Sequence, residues 1–468
     1  MKIKHHEIEI LQEKPFENCK LAREPYARVL TDIVNTYADG FVLAINNEWG
    51  TGKTTFVKMW QQQLKNESFQ TIYFNAWEND FDSNPLVALM SELQTLTNAK
   101  NKKAFKSIVE KGAVLVKNIA PALAKSLIKK YVVDIDEIAI DAIENATKAS
   151  TKILEEEIKE YTSKKKTIVE FREELGKFVK QAGNSKPLIF IIDELDRCRP
   201  NYSVEVLEQI KHFFSVSGIV FVLSIDKNHL ASAVRGFYGS EHINTDEYLR
   251  RFIDLEYSIP KPSTNNFINY LFEYYSFKEF FSSQERMQFT ELQNDSQNFS
   301  LMAEFLLTKS NSTLRQQERI FALTRLALCS FKINEYTFPH ILFFLVYIKI
   351  MQDDLFQKID KNEITLQELS DAFGDLIFSE LKDNNRLNLD YVEALLLWFY
   401  NNNREYSNKI NLVNKDEDGK FIITIKSKLT SENNNLAEYF VNIDRQRYHH
   451  FKLDFLLKRI NLTEPITI

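Results

Sequence analysis

The residues of this chain best suited to chemistry on a phosphate lie in one stretch, Asn46-Asn47-Glu48-Trp49-Gly50-Thr51-Gly52-Lys53-Thr54-Thr55. A short glycine-containing loop ending in Gly-Lys-Thr is a pattern that wraps an anion. Gly50 and Gly52 let backbone N–H groups close around phosphate oxygens without a Cβ in the way. Lys53 supplies a positive charge to the β- and γ-phosphates, and Thr54 offers a hydroxyl to Mg²⁺. Thr55 continues into a helix whose N-terminus faces the anion. Asn47, Glu48, Trp49 and Thr51 complete the loop. The pattern asks for glycine at position 47. Asparagine tolerates a left-handed backbone better than most residues, so the turn is expected to survive with Asn47. A chance Gly-Lys-Thr in a solvated loop is the alternative, and it leaves the next motif unexplained.

That motif is Pro187-Leu188-Ile189-Phe190-Ile191-Ile192-Asp193-Glu194-Leu195-Asp196-Arg197-Cys198. Its apolar run reads as a strand buried on both faces. The carboxylate pair at its carboxyl end sits where ligands bind in open α/β sheets. Asp193 is the candidate Mg²⁺ ligand, and Glu194 is the candidate general base for an attacking water. An acidic strand end facing solvent would account for one carboxylate but poorly for a pair beside a phosphate loop.

The elements that must hold these groups follow from the apolar runs. Strands are expected at 41–46, 71–76, 188–192, 218–224 and around 253–258, with helices between them. The fold class is therefore α/β, a P-loop nucleotide-binding fold with a parallel sheet flanked by helices. A helical insertion over 97–185 separates the two motifs. Residues 1–262 form the core, 263–360 a helical lid-like domain, and 361–468 a C-terminal helical region with a small β element near Phe421-Ile422-Ile423-Thr424-Ile425.

At four places the sequence resembles the KAP family of P-loop NTPases. These are Glu48 to Thr54, Phe74-Asn75-Ala76-Trp77, Asp193 to Cys198, and Tyr248-Leu249-Arg250-Arg251 with Ile259-Pro260. Two departures are Asn47 for glycine and Glu194 where the family usually carries a second aspartate; the latter keeps a carboxylate. The resemblance implies the additional-strand order, in which the Asp193 strand does not directly neighbour the P-loop strand. It implies Mg²⁺-dependent ATP hydrolysis, a homo-oligomer or an effector protein encoded nearby, and a role in bacterial exclusion of phages. It also implies that the segment before the P-loop touches the adenine, through Leu21 and Tyr26, unless these simply pack against the sheet. Ser224 or Asp226 would sense the γ-phosphate, unless Asp226 caps the helix beginning near Asn228. Arg250 and Arg251 would enter a neighbouring subunit's site, unless they pair with Asp246, Glu247 or Asp254. Arg315 would reach the nucleotide from the lid, unless it forms a surface ion pair.

Composition narrows the remaining classes. A net charge of −6 gives no global pull toward nucleic acid or an anionic membrane, so any such binding must be local. Cys19, Cys198 and Cys329 show neither metal-ligand spacing nor a disulfide framework, which fits a reducing cytoplasm. The start, Met1-Lys2-Ile3-Lys4-His5-His6, lacks the apolar stretch of a signal peptide. In the segment 104–131, Lys111, Lys117 and Lys125 interrupt the apolar run. It is too charged to span a membrane and reads either as a packing helix or as a peripheral membrane contact. Leu154, Tyr161, Ile168 and Leu175 recur at seven-residue spacing, with Ile158 and Val179 in partner positions, which suggests a projecting hairpin or short coiled coil. The run Ile341 to Val346 is too short to span a bilayer and reads as a core helix. Arg445 to Lys452 mixes basic and aromatic residues, as a nucleic-acid contact or a solvated helix face would. Two other functional classes stay open at this point: a nucleotide-gated scaffold with little turnover, and a DNA-stimulated motor.

Overall fold

A computed structural model describes residues 8–463 apart from 82–83, 117–152, 184–185, 378–387, 405–408, 416, 418–420, 430–433 and 447–448. The chain divides into two compact units, one of residues Glu7–Lys261 and one containing Pro262–Ile468.

The first unit is built on five parallel strands: β1 (Val42–Asn46), β2 (Thr71–Asn75), β3 (Leu188–Asp193), β4 (Ile219–Ile225) and β5 (Leu255–Tyr257). Their order across the sheet is β2-β3-β4-β1-β5. The Asp193 strand is therefore separated from the P-loop strand by β4, as the additional-strand order requires. Every residue of β3 and β4 is buried. Strands this apolar need cover on both faces, which crossover helices provide. On one face Ile189, Ile191, Val220, Val222, Leu43 and Ile45 pack against α1 (Glu24–Thr36) and α2 (Lys53–Asn66). On the other face Phe190, Ile192, Phe221, Leu223 and Ala44 pack against α3 (Pro85–Leu93) and the helices that follow. β5 is shorter than the run 253–258 suggested, because only its middle pairs with β1 through Leu43, Ala44 and Ile45.

Within the insertion, α4 (Lys102–Val116) and α5 (Ile153–Ala182) pack together. Ala104, Phe105, Ile108, Val109 and Ala113 of α4 are buried in the same cluster as Phe171, Leu175, Phe178 and Val179 of α5. The described part of the segment 104–131 thus spends its apolar face on the core; Lys117 and Lys125 lie outside the described residues. The seven-residue spacing can be followed only over part of this helix. Leu154, Ile158 and Tyr161 lie where side chains are not described. Farther along, Leu175 and Val179 of that spacing are buried together with Phe171 and Phe178, in the cluster shared with α4, so this end of the helix packs on the core. Arg172, which breaks the heptad, donates from Nε to the His212 carbonyl at 2.9 Å.

Six more helices complete the elements needed here. In the first unit α6 (Pro200–Phe213) follows β3, α7 (Lys227–Tyr238) follows β4, and the short α8 (Thr245–Leu249) leads to β5. In the second unit α9 (Asp295–Lys309), α10 (Leu314–Leu328) and α11 (Pro339–Met351) join through edge-to-face rings, with Phe299 5.1 Å from Phe343 and 5.7 Å from Phe321. α11 is buried on all sides from Pro339 to Ile348, as a core helix must be. A small antiparallel pair, Val413–Lys415 with Phe421–Ile423, supplies the expected β element. Among the described residues, no helix is long and apolar enough to cross a membrane.

Phe190 lies in the middle of β3 with its ring 5.2 Å from Phe221. Phe190→Ala is expected to lower stability by ~3–5 kcal/mol through the cavity it leaves. Equilibrium denaturation checks this, and an unmoved midpoint would contradict the two-faced packing of the sheet.

Candidate functional site

Strand register brings the polar groups together. Asn75 pairs with Asp193, Asp193 with Ser224, and Ser224 with Ile45, so the carboxyl ends of β2, β3, β4 and β1 form one row. The P-loop leaves β1 directly beyond that row. Gly50 and Gly52 both have positive φ, 77° and 81°, and Gly52 caps α2. These are the two positions where a Cβ would strain the loop. Thr51 closes the turn by donating its hydroxyl to the Glu48 carbonyl at 2.8 Å. Thr54 and Thr55 stand in the first turn of α2.

Asn47 does not do what its residue type suggested. It is absent from the non-glycine residues with positive φ. Its side-chain amide instead clamps a strand end: Nδ2 donates to the Ile259 carbonyl at 2.8 Å, and Oδ1 accepts from the Ile259 N–H at 2.9 Å. A glycine here could make neither bond.

Lys53 is buried, and its ammonium donates to the carbonyls of Asn47 and Glu48. Burial lowers its pKa, while Asp196, Asp226 and Asp193 pull it back up. Asp193 is 1 % exposed and accepts from the Tyr73 hydroxyl at 2.9 Å. Burial and that same carboxylate push the Tyr73 hydroxyl well above its ordinary value. Ser224 places a buried hydroxyl with no hydrogen-bond partner beside Asp193. Asp226 is spoken for: it caps α7 by accepting from Asn228 N–H at 3.1 Å and His229 N–H at 3.5 Å. Of the two sensor candidates, Ser224 is the one whose polar atom still lacks a partner.

Glu194 adopts a left-handed backbone, φ 61°. Its Oε1 pairs with Arg197 at 2.7 Å and its Oε2 accepts from Asn75 Nδ2 at 3.2 Å. Burial raises its pKa, opposed first by Arg197. Asp196 is also raised by burial, and the Trp49 indole N–H, which it accepts, opposes that shift. Trp49 lies flat on His229, with ring centroids 3.6 Å apart. Cys198 is buried, with its thiol pushed up by burial, which suits a packing role.

Other expected residues are less central. Tyr26 packs at the margin of the cluster over α1, while Leu21 precedes that helix in a turn. Between them Arg23, which sequence reasoning passed over, is 3 % exposed and donates to the Gly52 carbonyl at 3.3 Å. Arg250 is exposed, 3.4 Å from Glu247, and Arg251 gives its carbonyl to Lys211. Both precede β5, at the edge of the sheet opposite the P-loop. A five-residue β1 at ~3.3 Å per residue puts roughly 16 Å between the edges. Arg315 belongs to the second unit, in the first turn of α10. There it offsets the burial that pushes Glu318 up to about 6.

The KAP family P-loop domain matches residues 23–386. The chain belongs to the KAP family of P-loop NTPases. The groups at the carboxyl edge of the sheet all lie within the matched domain. A segment of the chain is 31% identical over 177 residues to an uncharacterized protein of Methanocaldococcus jannaschii, covering 33% of this chain and 90% of that protein. The chain is also similar to the solved structure of the Aeropyrum pernix ORC2 protein, at 12% identity and a TM-score of 0.31, covering 90% of this chain and 93% of that one. At that score the likeness carries no argument.

The Asn47 clamp yields a prediction against the usual family glycine. Asn47→Gly is expected to lower stability by ~1–3 kcal/mol, because the N–H and C=O of Ile259 lose their partner. Thermal unfolding of the two proteins checks it; a variant as stable as the parent would mean that the clamp contributes nothing.

Proposed function

We propose that this KAP domain hydrolyses ATP with Mg²⁺ and uses the cycle to drive a conformational or assembly switch. The observation that carries this reading is the row formed by Asp193, Glu194 and Ser224 beside Lys53. It supplies a buried carboxylate, a second carboxylate, an unpartnered hydroxyl and a cation along one strand edge. These are the donors and acceptors that a metal-bound triphosphate needs. Bound Mg²⁺ would neutralise phosphate charge, with Thr54 and Asp193 as its protein contacts. Lys53 would exchange the Asn47 and Glu48 carbonyls for β/γ-phosphate oxygens, and the amides from Gly50 to Thr55 would line the phosphates. Leu21 and Tyr26 would face the base. Glu194 would take the proton of the attacking water at a carboxylate oxygen, which its burial-raised basicity favours.

The opposite-edge position of Arg250 and Arg251 bears on assembly. Neither is placed to serve the phosphates of its own protomer, so a phosphate contact from either would be made to a neighbouring copy. A homo-oligomer with composite sites is the assembly in which they would act. A guanidinium suits that task because it is planar and always charged. A role in bacterial anti-phage defence, with a separately encoded effector, rests on the family resemblance alone, and a cytoplasmic location on the cysteine pattern.

Lys53→Ala is expected to abolish nucleotide binding. Glu194→Gln should bind ATP yet release phosphate at least ~100-fold more slowly, since an amide cannot take the proton. Calorimetry and steady-state phosphate release check both. Full turnover in Glu194→Gln, with turnover lost instead in Asp196→Asn, would move the base elsewhere.

Mixing inactive Lys53→Ala protein with an inactive Arg250→Ala or Arg251→Ala protein should restore part of the hydrolysis, because a mixed oligomer contains intact composite sites. No recovery in a verified mixed oligomer, or full activity in the double arginine variant, rules the trans contact out.

A further inference from the structure

Arg197 follows the carboxylate pair in the Leu195–Arg197 turn of 3₁₀ helix. Three contacts converge on its guanidinium. It pairs with Glu194 Oε1 at 2.7 Å, and its centre lies 5.8 Å from the Trp49 ring and 5.6 Å from the Trp77 ring. A guanidinium over indole faces is attracted by the ring quadrupole, the more so where water is partly excluded. Here the Arg197 side chain is 23% exposed.

The two indoles come from different parts of the site. Trp77 follows β2, two residues beyond Asn75, and its backbone N–H donates to Asn75 Oδ1 at 3.1 Å. Trp49 is inside the P-loop, between Glu48 and Gly50. It is fixed on two further sides, by its indole N–H to Asp196 and by the flat stack on His229. A shift of the P-loop must therefore move a ring that touches the 3₁₀ turn directly. The carboxylate at the other end of this chain of contacts has no slack: Arg197 holds one oxygen and Asn75 the other. Its backbone is left-handed, a conformation that persists in a non-glycine residue only where neighbours fix it.

We propose that Arg197 is a positioning residue through which the P-loop tryptophan Trp49 sets the placement of the Glu194 carboxylate. Phosphate engagement by the loop is then relayed as Trp49 to Arg197 to Glu194, without any residue of the second unit. This rests on the reading of Glu194 as the base, and it adds a residue that touches neither nucleotide nor water.

The test reads intrinsic tryptophan emission of the full chain, with kinetics beside it. In nucleotide-free protein, Arg197→Gln removes the charge over both rings and changes the emission spectrum. Arg197→Lys restores most of the parent spectrum. Glu194→Gln releases the guanidinium's anchor and shifts emission in the same direction as Arg197→Gln. Added MgADP changes emission in the parent and in Trp77→Phe, but not in Trp49→Phe. In ATP hydrolysis, Arg197→Gln lowers kcat roughly tenfold to a hundredfold while KM stays within about twofold, as expected when the base is misplaced and binding is not. The Trp49→Leu/Arg197→Gln double variant is no slower than Arg197→Gln alone, because the ring acts through the guanidinium. A folded Arg197→Gln protein with the parent spectrum, or a full MgADP response in Trp49→Phe, overturns the relay. Should Arg197→Gln fail to fold, the Trp49→Phe response decides alone. If the parent protein releases no phosphate, the hydrolysis reading fails, and the spectra still decide the relay.

Discussion

The charge on Lys53 is the constraint around which the first unit is arranged. An ammonium withdrawn from water costs several kcal/mol unless carboxylates and hydrogen bonds surround it. In this chain three aspartates oppose that loss, and they arrive from separate places: Asp193 ends β3, Asp196 follows it, and Asp226 follows β4. The parallel sheet, in the order β2-β3-β4-β1, brings those strand ends beside the loop that leaves β1. The apolar layers on the two faces, α1 and α2 on one side and α3 onward on the other, bury the strands that carry the carboxylates. A site of like charges on both neighbours would not hold a cation; a site of carboxylates alone would repel a triphosphate. Lys53 and its aspartates meet both demands.

The second carboxylate of the site is held differently. Glu194 is kept in a left-handed backbone, at a cost of roughly 1–2 kcal/mol, by bonds that fix both of its oxygens. Those bonds come from the Asn75 and Arg197 side chains. Around them a layer of Trp49, His229, Arg197 and Trp77 ties three sequence motifs to one another. Three of the four stretches that resemble the KAP family are thus joined physically in this chain, not merely present together.

Much of this was legible in the sequence, for a physical reason. Short apolar runs bounded by polar or turn residues mark buried strands such as β3 and β4, so the sheet was readable, and Gly-Lys-Thr and Asp-Glu mark their own positions after β1 and β3. What was not legible depended on partners far along the chain. Asn47 looked like a tolerated substitute for glycine, because nothing local reveals a clamp on Ile259. Arg23 drew no reading of its own from the sequence, and its bond to the Gly52 carbonyl appears only once α1 is laid beside the loop. Asp226 could have been a sensor or a cap until its bonds to Asn228 and His229 showed the cap. The seven-residue spacing in α5 could not say what its apolar face meets, because over so few turns a 3.5-residue and a 3.6-residue repeat nearly coincide; Leu175 and Val179 are buried against α4.

The measurement that bears most directly on this account is a crystal structure of the protein with Mg²⁺ and a non-hydrolysable ATP analogue. The account predicts that the Lys53 ammonium has left the Asn47 and Glu48 carbonyls for β/γ-phosphate oxygens, with Asp193 at the metal and a Glu194 oxygen facing the water in line with the γ-phosphate. An analogue bound away from the P-loop, with Lys53 still on its own carbonyls, would contradict it.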